Sequence, residues 1–380
     1  MSKKIFFIAG ETSGDIIGSK IMRHISKEID VSMGVGGKNM LEAGMKSLFD
    51  IKDTSIMGFF EIIKQIPLII KRINQTIDYV IKYDPDVIVT IDSPGFVKRI
   101  VKKLRESGYK KPIIHIVAPT VWAYKEKRAE YFAKYFDAIC CFFPFEPKYF
   151  EKHGLKSYFV GNISIEDELM RLKNDDSAIN SSFSNIKNIA ITLGSRENEI
   201  KQHIKIIKET IKKLKQNDSN LSFYFATEER FFNLINNSFS EIGNCHINAS
   251  KEAMKWAVQN CDIGITKSGT NTLQFLVNLK PVVVYYKMHP FSYAIIESMC
   301  KVKYVNIINI MADKEIVPEF LQSRFTSENI YNSISELIPN FSQKKVEIRE
   351  NFLKMLPNKD LMPSKMTSDV ILSYLENDKD

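Results

Sequence analysis

Short β-branched runs alternate with helix-patterned segments along nearly the whole chain, and this rhythm restricts the fold more than any other feature. Runs at 5–9, 33–36, 87–92, 113–118, 138–143 and 158–161 are followed in the second half by runs at 188–193, 223–227, 245–248, 263–267, 281–286 and 304–308. Strands separated by helices need crossover connections, hence parallel sheets covered by helices. At 380 residues the chain is long for one core and comfortable for two. Residues 171–185 are polar and rich in Asn and Ser, the composition of a linker or long surface loop. The expected architecture is α/β: two Rossmann-like, doubly wound domains over 1–170 and 186–342, facing each other across a cleft. A charged helical tail over 343–380 would pack back on the first domain. Ligands of such sheets bind at the carboxyl ends of the strands.

Composition excludes several classes. A hydrophobic content of 44% argues against extensive disorder. No apolar run reaches membrane-spanning length and the N-terminus lacks a signal-peptide pattern, so a cytoplasmic protein is expected. Five cysteines without a CxxC pair and six dispersed histidines predict neither a disulfide framework nor a metal site. The formal charge of +8 favours anionic partners. Nucleic acid is possible in principle, but no nucleic-acid motif is present and the basic residues are scattered; an anionic membrane surface or a phosphorylated substrate fits as well.

Three turns at predicted strand ends carry candidate chemistry. The strand at 5–9 runs directly into Gly10-Glu11-Thr12-Ser13-Gly14-Asp15 and then a helix with Ile16, Ile17, Ile21 and Ile25 at helical spacing. Ser13 is the expected N-cap, with free N–H groups and the positive helix end turned toward a ligand. Glu11 and Asp15 place carboxylates where a dinucleotide fingerprint would hold pyrophosphate, so this is not that motif. An ordinary capped βα turn is the plain alternative. Asp92 ends an apolar strand before Ser93-Pro94-Gly95; it is either an Asx-type turn residue or a proton acceptor for a substrate hydroxyl. Gly194-Ser195-Arg196 repeats the strand–Gly–helix pattern, with Arg196 able to fork a phosphate, or else forms a capping loop with a surface Arg. Ser268, Gly269 and Thr270 again follow a strand, and Gln274 lies one helical turn on, within reach of a ribose. Together the second-half turns suggest a bound nucleotide diphosphate.

From Met57 to Ile81, Phe59, Phe60, Ile62, Ile63, Ile66, Ile69, Ile70, Ile73 and Ile77 form a broad apolar stripe flanked by Lys64, Lys71 and Arg72, with Pro67 expected to kink or split the helix. The stripe is either core or an interfacial surface, apolar toward acyl chains and basic toward lipid phosphates.

Taken in order, Gly-Glu-Thr-Ser-Gly-Asp at 10–15, Ile-Asp-Ser-Pro at 91–94, Val-Ala-Pro-Thr-Val-Trp-Ala-Tyr at 117–124, Phe-Pro-Phe-Glu at 143–146, Gly-Ser-Arg at 194–196, Ser-Gly-Thr at 268–270, Tyr-Tyr-Lys-Met at 285–288, and Asn309 with Glu315 through Gln322 closely resemble the lipid-A-disaccharide synthase family over nearly the whole chain. The resemblance implies a GT-B glycosyltransferase joining UDP-2,3-diacylglucosamine to 2,3-diacylglucosamine 1-phosphate (lipid X) with inversion, releasing UDP and needing no cofactor. It implies Asp92 as base and Glu11 as an orienting carboxylate. Gly194, Ser195, Arg196, Ser268, Gly269, Thr270, Gln274 and Asn309 would contact the nucleotide sugar. Phe59, Ile62, Ile63, Ile66, Ile69 and Ile70 would contact acyl chains at the anionic inner face of the cytoplasmic membrane; a homodimer is left open. Gly95, Val97, Asn162, Leu193, Gln274 and Asp313-Lys314 depart from the family pattern, and Gln274 brings a neutral amide where a carboxylate is usual. Another GT-B UDP-sugar enzyme, such as the peptidoglycan glucosaminyltransferase or a UDP-sugar epimerase, and a non-catalytic nucleotide-sugar or membrane-binding module are the alternatives.

Overall fold

The computed structural model describes residues 3–25, 29–31, 33–54, 59–174, 186–288, 293, 297–300 and 302–376, apart from the side chains of 59–64 and 270. The chain divides into two units. The first comprises Met1–Asp167 with Met355–Asp380, the second Glu168–Lys354.

Seven parallel strands form the sheet of the first unit: β1 (Ile5–Ala9), β2 (Met33–Val35), β3 (Lys46–Ser47), β4 (Val87–Ile91), β5 (Ile113–Ile116), β6 (Ala138–Cys141) and β7 (Lys156–Phe159). Their order is β3-β2-β1-β4-β5-β6-β7. Register pairs Ile5 with Val87 and Ala9 with Ile91, so β1 and β4 end together. Side chains alternate between the two faces, as a doubly covered sheet requires. Ile5, Phe7, Val87, Val89, Ile114 and Ile116 pack on one face with Ile371 and Leu375 of the helix Pro363–Glu376. Phe6, Ile8, Ile88 and Ile113 pack on the other with Ile73, Ile77 and Val80 of the helix Phe59–Tyr83. Each fully buried aromatic or aliphatic side chain contributes about 1.5–3 kcal/mol relative to exposure.

In the second unit β8 (Asn188–Thr192), β9 (Ser222–Ala226), β10 (Cys245–Asn248), β11 (Ile263–Lys267), β12 (Val282–Tyr286) and β13 (Glu319–Leu321) are parallel in the order β10-β9-β8-β11-β12-β13. The helix Glu197–Asn217 buries Ile200, His203, Ile207 and Ile211 on one stripe against this sheet.

Four local expectations change. No strand forms at 304–308: Asn306 accepts a hydrogen bond from the Ile308 N–H and caps the helix Ile307–Ala312, and the sheet instead takes Glu319–Leu321 as its edge. Pro67 does not split its helix, which is continuous from Phe59 to Tyr83; Met57 lies outside the described residues. Residues 171–174 complete the helix Glu166–Asn174, and 175–185 lie outside the described residues. The break placed at 343 falls inside the helix Phe341–Leu353, which belongs to the second unit; the chain returns to the first unit at Met355.

Asp15 has a structural task. It is buried, and its carboxylate accepts from the N–H groups of Gly37 (2.8 Å), Asn39 (3.0 Å) and Met40 (3.0 Å) and from Asn39 Nδ2 (2.7 Å). It thereby satisfies the otherwise orphaned donors at the start of the helix Lys38–Glu42. Asp15→Ala should destabilise the first unit by about 3 kcal/mol or more, because buried donors lose a charged acceptor. Chemical denaturation measures this, and a loss under about 1 kcal/mol would contradict the assignment.

Candidate active site

The strand orders reverse between β1 and β4 in the first sheet and between β8 and β11 in the second. At such a point the flanking connections leave toward opposite faces and open a crevice at the strands' carboxyl ends. The loops singled out in the sequence stand at these two places.

In the first unit, Asp92 follows β4 and Glu11 follows β1. Asp92 (φ 49°) and Ser93 (φ 46°) both take the left-handed conformation, and Val117, just past β5, has φ 75°. Non-glycine residues held there cost of order 1–3 kcal/mol each and cluster at functional sites. The Asp92 N–H donates to the Ile116 carbonyl at 3.0 Å, which fixes the bend. Ser13 does not cap its helix. Glu11 occupies the N-cap position without a side-chain bond, and Ser13 Oγ instead donates to Asp92 Oδ2 at 3.2 Å. Gly10 is required: a Cβ there would stand 2.8 Å from Ser93 Oγ. Glu11 is exposed beside this group. In the same unit, Glu146 is buried and ties two of the recognised segments together, accepting from the Phe142 and Phe143 N–H groups at 2.9 and 3.0 Å and from Trp122 Nε1 at 3.1 Å.

In the second unit a cavity of about 610 Å³ opens at the ends of β8, β9, β10 and β11. Gly194, Ser195, Lys267, Ser268, Gly269 and Asn271 line one side, and Thr227, Glu228, Ser250, Lys251 and Met254 another. Gly194 (φ 124°) and Gly269 (φ 150°) adopt backbone conformations that favour glycine. Arg230 holds the first turn by donating to the Ser195 carbonyl at 3.1 Å. Arg196 is exposed beside this turn, donates to Glu199 Oε1 at 2.8 Å and is not itself among the residues lining the cavity. Sequence reasoning missed His203. Fully buried, it places Nδ1 2.8 Å from the Leu193 carbonyl, and burial lowers its pKa, so the neutral ring donates and anchors the chain just before Gly194. Its position between Ile200 and Ile207 on the buried stripe was the available signal.

Two expected contacts stand elsewhere. Gln274 is exposed one turn into the helix Thr270–Val277 and does not line the cavity; the Thr270 side chain lies outside the described residues. Asn309 is fully buried, and its amide is saturated. Nδ2 donates to the Val317 carbonyl (2.7 Å) and Glu319 Oε1 (2.8 Å), while Oδ1 accepts from the Ile316 and Val317 N–H groups at 2.8 Å each. With no bonding capacity left, Asn309 organises the segment leading into β13 instead of offering itself to a ligand.

The apolar helix is split between roles. Ile73 and Ile77 are core, Ile69 is partly buried against them, and Ile66 and Ile70 are 43% and 48% exposed. Lys71 is exposed. Arg72, expected to meet lipid phosphate, is instead paired with Asp53 at 2.7 Å and stacked on Phe49. The side chains of Phe59, Ile62, Ile63 and Lys64 lie outside the described residues. Among the described residues, no helix is long and apolar enough to cross a membrane.

Two doubly wound parallel sheets in one chain, each with its candidate turns at the point of strand reversal, define a GT-B fold. Solved structures agree. The UDP-GlcNAc 2-epimerase of Neisseria meningitidis, solved bound to UDP-GlcNAc, aligns with a TM-score of 0.61 at 16% identity over 98% of this chain and all of that one. MurG of Acinetobacter baumannii gives 0.58 at 14% identity over 98% and 99%. The lipid-A-disaccharide synthetase family model matches residues 5–367. Lipid-A-disaccharide synthases of Rickettsia felis and Rickettsia bellii are each 38% identical to the chain, over 379 and 380 residues; the matches cover 97% and 98% of this chain and 95% and 97% of theirs. The chain belongs to the lipid-A-disaccharide synthetase family and is a glycosyltransferase of lipid A disaccharide formation.

Burial raises the Glu146 carboxyl from 4.5 to about 7. Between those values the folded chain holds a proton on Glu146 that the unfolded chain has released, so this residue's own contribution to stability falls as pH rises through that window and levels off above it. Buried His115 and His203, whose pKa values burial lowers, contribute the opposite slope. Denaturation of the unaltered chain and of Glu146→Gln across that window isolates the Glu146 contribution: relative to the variant, the unaltered chain should lose stability as pH rises.

Proposed function

We propose that the chain joins UDP-2,3-diacylglucosamine to 2,3-diacylglucosamine 1-phosphate, forming the β-1,6-linked disaccharide 1-phosphate and UDP with inversion at the anomeric carbon. The observation that carries the assignment of roles is the strained Asp92–Ser93 bend at the β1/β4 reversal, which holds a carboxylate at the carboxyl edge of the first sheet. Asp92 takes the proton of the acceptor 6-hydroxyl as that oxygen attacks, and Ser13, hydrogen-bonded to it, fixes its rotamer. Glu11, on the adjoining turn, orients the acceptor. UDP occupies the cavity of the second unit, with its diphosphate against the turns at Gly194-Ser195 and Ser268-Gly269. Backbone N–H groups there and the Arg196 fork offset the charge that develops as UDP departs. That a related fold has been solved with UDP-GlcNAc supports the nucleotide assignment.

The purified chain, incubated with the two substrates, should yield the disaccharide by mass spectrometry. Asp92→Asn should lower turnover by ~10²–10⁴-fold while UDP binding persists. Near-normal turnover in that variant would remove Asp92 from the role of base.

The enzyme works at the anionic inner face of the cytoplasmic membrane, meeting it through the exposed part of the Phe59–Tyr83 helix. Drawing acyl chains into water costs about 0.8 kcal/mol for each CH₂, so a peripheral location suits diacylated substrates. Ile66 and Ile70 supply apolar contact and Lys71 a cation. Ile66→Ser with Ile70→Ser should release the protein from anionic liposomes in a flotation assay, and salt should add to the release. Wild-type flotation of the double variant would place the contact elsewhere.

A further inference from the structure

Lys267 is the last residue of β11 and lines the cavity directly before Ser268-Gly269. Its ammonium lies 3.5 Å from Glu199 Oε2, at the outer limit of hydrogen-bond distance, and 4.9 Å from the Tyr286 ring centroid. Glu199 is shared: Oε1 accepts from Arg196, whereas Oε2 is buried without a hydrogen-bond partner. One carboxylate thus stands between two cations, one from each of the loops flanking the β8/β11 reversal.

We infer that Lys267 is a second cation of the diphosphate site, resting against Glu199 in the free protein and turning to the diphosphate when it arrives. This rests on the reading that UDP occupies the cavity of the second unit. Attraction to Glu199 and the face of Tyr286 keep the ammonium at the cavity wall. At 3.5 Å the pair with Glu199 is loose rather than a short directional bond, so little has to be broken for the ammonium to move. A diphosphate carries more negative charge than one carboxylate shared by two cations, and it offers acceptor oxygens in many directions. Lysine suits this duty because a compact charge on a four-carbon stem can be redirected, whereas the planar Arg196 fork is fixed by geometry. Neither turn uses Lys267 for its shape: Gly194 and Gly269 supply the backbone conformations, and the Thr266–Thr272 hydroxyl pair at 3.1 Å ties the strand to the following helix. Gln274, expected to contact the nucleotide, is turned outward, which leaves Lys267 as the charged side chain that β11 delivers to the cavity.

The test compares UDP and uridine binding to the full chain by calorimetry and competition, in the unaltered protein, Lys267→Met and Lys267→Gln. Loss of a charged hydrogen bond should weaken UDP binding roughly tenfold to a hundredfold in both variants. Uridine binding should stay within about twofold, since no phosphate is present for the ammonium to meet. The Gln variant guards against a folding defect in the Met variant, and retained uridine binding reports an intact cavity. UDP affinity unchanged in the variants, or uridine affinity falling in parallel with UDP, overturns the role of Lys267; weakened UDP binding in Arg196→Ala would then leave the nucleotide reading standing. No UDP binding by the unaltered chain overturns that reading and this inference together.

Discussion

A parallel sheet delivers every strand's carboxyl end to the same edge, and the reversal of strand order decides where that edge opens. In the first unit the reversal falls between β1 and β4, in the second between β8 and β11. The placement of every candidate site residue follows from this geometry. The four loops that leave those strands carry Glu11 and Ser13, Asp92, Gly194 to Arg196, and Lys267 to Gly269. They are brought together in pairs because adjacent parallel strands end in register, as Ala9 and Ile91 do. The apolar cores below need no residue of these turns, so the edge is free to carry groups that folding alone would not select.

The two units meet the requirement for tight turns by different means. The second uses glycine at φ 124° and 150°, conformations in which a Cβ would be strained. The first holds Asp92, Ser93 and Val117 in the left-handed region and carries the cost. A glycine at 92 would bend more easily and offer no carboxylate. On the role proposed for Asp92, side-chain identity outweighs backbone comfort at this strained bend. Asp313, one of the positions that depart from the family pattern, shows a milder form, ending the helix Ile307–Ala312 at φ 47°.

Most strands were legible from the sequence, because β-branched runs buried on both faces leave little else for the chain to do; the strand order, and so the place of each reversal, comes from the structure. What escaped reading were elements decided by single hydrogen bonds. Tyr304 to Ile308 has the composition of a strand, yet the Asn306 side chain starts a helix there. Lys46–Ser47 and Glu319–Leu321 are too short to show a period. At the site, residue types and spacing located the turns but not the direction of each side chain. Ser13 read as a cap and bonds Asp92 instead; Asn309 read as a ligand contact and is consumed by its own segment. Saturation of the Asn309 amide takes four hydrogen bonds to three residues, and spacing along the chain carries no trace of them.

The first unit is discontinuous in sequence, and this bears on how the molecule comes into being. Ile371 and Leu375 cover the face of the first sheet formed by Ile5, Phe7 and Val89. Synthesis proceeds from the other end, so that face is made early and receives its last helix only after all of Glu168–Lys354 has been translated. The second unit, continuous in sequence, has its whole core available sooner. Contacts that span nearly the entire chain also raise the loop-closure cost of completing the first core. During translation, then, the half bearing Asp92 is the one whose apolar surface stays uncovered longest, and it is there that chaperones would find most to bind.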